Sequence, residues 1–206
     1  MKNLFIIIAT CVATISFAQN NFETEMQEAF EHWKSGNEAG LKSFKKIQNN
    51  YPTERLPKYY IAFTQTLLSF EKENNIEKEN LIDEAKLLIA QLEKSFPNHP
   101  EILNLKALNL TSEIVLNPMA NGMALMEDVN STYAHALLLE PKNPRTILGQ
   151  AEFNINAAKF IGGDIKLSCK NVEKALDLFE NELVDGFEPS WGKERAKTLL
   201  NNDCKK

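Results

Sequence analysis

Three histidines, two late cysteines and one glycine-glycine-aspartate turn are the residues of this 206-residue chain whose types and spacing could carry chemistry. Glu28 and His32 stand four apart, so a helix would put a carboxylate and an imidazole on one face, where they could hold a metal or pair across the surface. No further ligand declares itself beside them, and a surface ion pair is the expectation. His99 lies in the turn sequence Pro97-Asn98-His99-Pro100, and His135 neighbours a core-facing Tyr133 and Ala136, so turn chemistry and packing account for both. Gly162-Gly163-Asp164 has the small residues of a phosphate or calcium loop. Neither a P-loop Lys nor a second acidic ligand follows at the required spacing. Paired glycines permit a tight reversal, and Asp164 suits a helix N-cap. HExxH, GxSxG and the Rossmann glycine fingerprint are absent, and scattered helix-surface carboxylates usually serve solvation. The residues describe a protein that is not an enzyme and needs no metal or cofactor.

The start of the chain reads as an export signal. Lys2 supplies a positive end, Leu4 to Phe17 is an almost uninterrupted apolar run, and Ser16-Phe17-Ala18 is a small-x-small cleavage site. The expected product begins at Gln19 and is periplasmic or secreted, with no transmembrane anchor after cleavage. About 14 apolar residues fall short of the roughly 20 that span a bilayer. Ile8-Ala9-Thr10-Cys11 superficially resembles a lipobox, but further apolar residues follow the cysteine. Loss of Lys2 makes the remaining body one unit more acidic than the −5 of the whole chain, which disfavours a nucleic-acid partner held by a broad basic surface. Cys169 and Cys204 remain in an oxidising space as an even pair, with no CxxC and no neighbouring His for a zinc site.

Helices must position all of these residues. Apolar side chains keep a period near 3.6, as in Leu81, Ile82, Ala85, Leu88, Ile89, Leu92 and Phe96, and in Ile147, Leu148, Ala151, Ile155 and Ala158. Nearly every Pro and Gly falls at a boundary. Helices are expected near 22–35, 38–50, 55–73, 78–95, 100–116, 121–139, 144–160, 165–182 and 190–203. Pro52, Pro97 and Pro141 recur at intervals of 45 and 44 residues, and each is followed by a second proline at 57, 100 or 144. Counting back 12, 8 and 5 from each leading proline gives Gly40, Phe44, Ile47, then Ala85, Ile89, Leu92, then Val129, Tyr133, Ala136. Ser168, Val172 and Ala175 make a fourth copy. A period of this size means stacked helical hairpins.

Ala85, Ile89, Leu92 and Pro97, with Val129, Tyr133, Ala136 and Pro141 and the junction Glu140-Pro141-x-Asn143-Pro144, resemble the second helix of a tetratricopeptide repeat and its exit. The resemblance covers roughly residues 22–185. It departs from the family in its period of about 45 and in lacking the usual Gly and Tyr of the first helix. It implies an all-α fold: an α-solenoid of about four hairpins (approximately 22–52, 55–97, 100–141 and 144–185), with a capping helix at 189–204, in a single domain over 19–206. Gly162-Gly163-Asp164 and Pro189-Ser190-Trp191-Gly192 also resemble small exported repeat proteins of bacterial envelopes. Antiparallel packing of the last two helices would bring Cys169 and Cys204 together as a disulfide; one buried thiol and one frayed terminal thiol is the alternative. The first helix of each repeat would line a concave groove, whose candidate ligand-binding residues are Tyr59, Tyr60, Phe63, Gln65, Asn104, Asn109, Gln150, Asn154 and Asn156. The implied function is an exported, non-catalytic protein- or peptide-binding scaffold of the bacterial envelope. The alternative is an accessory repeat component of a solute-uptake system, pairing with a solute-binding protein.

Overall fold

The structure, a computed structural model, describes residues 21–205. Among them every regular element is a helix: α1 (21–35), α2 (Asn37–Asn50), α3 (Arg55–Glu71), α4 (Asn75–Ser95), α5 (Pro100–Leu116), α6 (Pro118–Leu139), α7 (Pro144–Ile161), α8 (Lys166–Glu180) and α9 (Lys193–Asn202). The export signal expected over 1–18 lies outside the described residues. No described helix is long and apolar enough to cross a membrane. Two compact units divide between Thr64 and Gln65, inside α3.

The punctuation explains where helices start. Pro100, Pro118 and Pro144 occupy first-turn positions, where a missing N–H costs nothing. Asn74, Asn117 and Asn143 cap α4, α6 and α7, their side-chain oxygens accepting from the N–H groups of Ile76 and Glu77, of Ala120 and of Thr146. These caps carry α4 and α6 three residues nearer the N-terminus than apolar periodicity implied. Asp164 accepts from the Lys166 N–H at 2.8 Å, so its carboxylate serves the start of α8. The last helix begins at Lys193 rather than 190, because Gly192 takes φ +114° and ends the approach in a left-handed turn.

The first unit is built on rings. Phe30 meets Tyr60 edge-on at 4.8 Å between centroids, Phe44 stacks on Tyr60 at 5.1 Å, and Trp33 meets Phe63 edge-on at 5.7 Å. Gly40 lets α2 approach this cluster, since a Cβ there would lie 2.7 Å from the Trp33 side chain.

The second unit holds two apolar clusters. One joins Ala107 of α5 with Val129 and Tyr133 of α6 and Phe153 of α7. The other joins Ile147, Leu148, Ala151 and Ile155 of α7 to Val172, Ala175 and Phe179 of α8 and to Ala196 and Leu199 of α9. Cys169 and Cys204 form a disulfide with Cα atoms 5.6 Å apart, tying the first turn of α8 to the end of α9. All twelve positions of the repeated column, from Gly40 to Ala175, are buried.

Gly149 is a helix-interior glycine with a packing reason. A Cβ at this position would stand 2.6 Å from the Tyr133 hydroxyl and 2.8 Å from its ring. Tyr133 is 3% exposed and has no room to retreat. Gly149→Ala is expected to destabilise the chain by about 1–3 kcal/mol, the range for overpacking a filled core. Chemical denaturation of the variant beside the parent measures this, and an unchanged midpoint would refute the close approach.

Candidate functional site

Six of the nine groove candidates are interior. Tyr59, Tyr60 and Phe63 belong to the ring cluster of the first unit. In the second unit, buried Gln65 donates to Glu84, and Asn109 donates to the Ile82 carbonyl at 3.2 Å and to Thr66 Oγ1 at 3.3 Å. Asn104 lies 3.5 Å from both Glu101 and Asn143. Side chains of the first helix in a hairpin face the neighbouring helices here, so their amides satisfy buried partners. Gln150 is half-buried, and Asn154 and Asn156 are exposed on α7.

A concavity of the second unit is an open cleft of about 420 Å³ where the α4–α5 corner faces the later turns of α6. Pro97 and Asn98 form the corner, Asn98 turning the chain with φ +59°. Leu103 and Lys106 of α5 and Ser131, Thr132 and His135 of α6 supply the walls, with Glu93 of α4 at the edge. Lys106 Nζ is 2.9 Å from Glu93 Oε1, and the Lys106 side chain is 40% exposed. Ser131 and Thr132 donate their hydroxyl protons to the Asp128 carbonyl at 3.1 and 2.7 Å, which leaves their oxygens as acceptors. His135 is exposed, and Leu138 and Leu139 stand exposed three and four positions further along α6. The cleft therefore brings an imidazole and a cation together beside Leu103 and Pro97. Sequence reasoning set His135 aside as packing and missed Lys106, Ser131 and Thr132.

His32 of the first unit borders a notch of about 60 Å³ with Glu25, Glu28, Ser43 and Lys46. Its Nδ1 and Ser43 Oγ are hydrogen-bonded at 2.8 Å, an engagement across helices in place of the expected pairing with Glu28. Among the described residues no three His, Cys, Asp or Glu side chains are grouped to hold a metal.

The densest electrostatics serve structure. Arg145, 6% exposed, donates from Nε to Glu101 at 2.8 Å and from both terminal nitrogens to Glu182 at 2.9 and 2.5 Å. Asn143 donates to Glu101 at 2.6 Å and to Glu140 at 2.9 Å. Burial pushes the Glu101 carboxyl above the usual range, against the pull of Arg145 and Asn143, while Glu182 and Glu101 hold the Arg145 proton still more firmly. Glu101 and Arg145 each directly follow a proline, Pro100 and Pro144, so opposite charges stand at matching places in the proline pattern.

No family model matches this chain, and no curated protein matches it. Among solved structures it is similar to the HusA haemophore from Porphyromonas gingivalis, with a TM-score of 0.70 over 92% of this chain and 93% of that one, at 20% sequence identity. That similarity is one of fold, all-α through nearly the whole length of both chains.

Proposed function

We propose that the chain is an exported, non-catalytic binding protein that carries haem, or a comparably flat and apolar tetrapyrrole, in the cleft between the α4–α5 corner and α6. The observation that carries this reading is the convergence of His135 and Lys106 over Leu103 and Pro97 in one open cleft. An imidazole nitrogen suits a haem iron, an ammonium suits a propionate, and apolar walls suit the macrocycle. Lys106 reaches a ligand carboxylate by turning from Glu93 through solvent. The volume of about 420 Å³ falls within the range of about 300–1,000 Å³ typical of small-molecule sites. The haemophore named above supports the choice of ligand class. The buried column of small, bulky and apolar residues supports tetratricopeptide-like stacking of the hairpins. A protein- or peptide-binding scaffold retains Gln150, Asn154 and Asn156 as its accessible groups, and an uptake accessory gains no specific support.

Titration of the purified chain with ferric haem tests the proposal. A saturable shift of the Soret band is expected, with His135→Ala weakening binding at least ten-fold and Lys106→Ala weakening it less. No saturable binding, or equal binding by the parent and both variants, would remove the cleft from consideration.

A further inference from the structure

Three of the five methionines lie within eight positions of α6: Met119, Met123 and Met126. Their spacing of four and three puts them on one helical face. Met126 is half-buried against the cluster around Val129 and Tyr133, while Met119 and Met123 are 84% and 93% exposed. Packing explains the first and not the other two. From Asn117 to Met126 the helix carries no charged side chain, and the first to follow is the carboxylate of Glu127, one turn beyond Met123. Gly122, between the two exposed methionines, has open space where its Cβ would be, so its presence in a helix interior has no steric cause. The disulfide consumes Cys169 and Cys204, and Met26 is fully buried. Among the described residues, then, the accessible soft sulfur atoms all belong to this one face.

We infer that Met119, Met123 and Met126 form a thioether site for a soft monovalent metal, Cu(I). Neutral thioethers favour Cu(I), whereas Zn²⁺, Ca²⁺ and Mg²⁺ need several thiolate, imidazole or carboxylate ligands, and Glu127 is a single carboxylate. Met119 and Met126 are separated by about 10.5 Å along the axis. Three rotatable bonds in each side chain are enough for the sulfurs to meet around a central ion near Met123. The ligands carry no proton, so binding does not depend on pH in the way an imidazole or thiol site does. The site lies on the first two turns of α6, whereas the cleft draws on Ser131, Thr132 and His135 from its later turns, so the two assignments stand or fall separately.

The test is anaerobic titration of the purified chain with Cu(I) in competition with a chromophoric chelator, and with Ag(I) while following methionine methyl resonances by NMR. One equivalent is expected to be withdrawn from the chelator, at equal affinity at pH 5.5 and 7.5, with the shifts confined to the three methyls of α6. Met119→Leu/Met123→Leu keeps shape and exposure, so its folding is secure and its circular dichroism should be unchanged. It is expected to weaken Cu(I) at least ten-fold while leaving ferric haem binding as in the parent. No withdrawal of Cu(I), equal withdrawal by the leucine variant, or loss of withdrawal in His135→Ala would overturn the assignment.

Discussion

Arg145→Met is expected to lower stability by about 3–5 kcal/mol at neutral pH, the cost of leaving one member of a buried ionic group without its partner. Glu101 is 6% exposed and would keep only Asn143 and Asn104 as donors. Burial already raises its carboxyl, and losing the guanidinium raises it further. An acid whose pKa is higher folded than unfolded contributes its full stability below the unfolded value of about 4.3, and that contribution is lost as pH rises through the folded value. The variant's deficit should therefore be largest at pH 7.5 and shrink towards pH 4.5. Denaturant melts at both values check this, and a deficit independent of pH would show that the loss is one of packing over the Phe179 ring, 6.0 Å from the guanidinium, and not of charge. Glu101→Gln added to Arg145→Met should recover part of the loss, because residues of one network do not add.

Reduction of the disulfide, or Cys169→Ser/Cys204→Ser, is expected to cost about 4 kcal/mol on a chain-entropy reading of its 35-residue separation. The effect should concentrate on α9. That helix has ten residues and buries only Ala196 and Leu199. Besides the disulfide it is held by the pairing of Arg195 with Glu152 and, just beyond its end, by Asp203 at 2.7 Å from Lys159. Exposed ion pairs of this kind contribute little. Hydrogen exchange should show α9 opening in the reduced chain while α5 to α7 stay protected. Uniform loss of protection would mean that α9 and the helices before it unfold as one.

Helix content was legible because punctuation and periodicity agree: Pro100 and Pro144 open helices, and the stripe from Leu81 to Leu92 has a single apolar face. The start of α6 was missed by reading Pro118 as a stop and not as the first turn behind an Asn117 cap, and the start of α4 by overlooking the Asn74 cap. The cleft was far less legible. Its walls come from residues about thirty positions apart on two helices, each ordinary in its local setting. Tyr59, Tyr60, Gln65 and Asn109 looked like groove residues because amides and rings favour both ligands and interiors. Only packing distinguishes an Asn109 that donates to the Ile82 carbonyl from one facing solvent. The charge exchange between Glu101 and Arg145 was visible at matching repeat positions, but pairing them requires knowing that α5 and α7 begin side by side.

Tyr133 and Gly149 behave as a lock and its keyhole, and neither can change freely alone. A larger residue at 149 demands a shorter one at 133, and a shorter residue at 133 leaves a void that only a bulkier neighbour fills. A lineage can therefore exchange which partner is large while keeping the helices where they are. Such reciprocal swaps erase column-by-column likeness faster than they alter shape, and distant relatives of this chain should be found by joint variation at these two positions sooner than by identity at either.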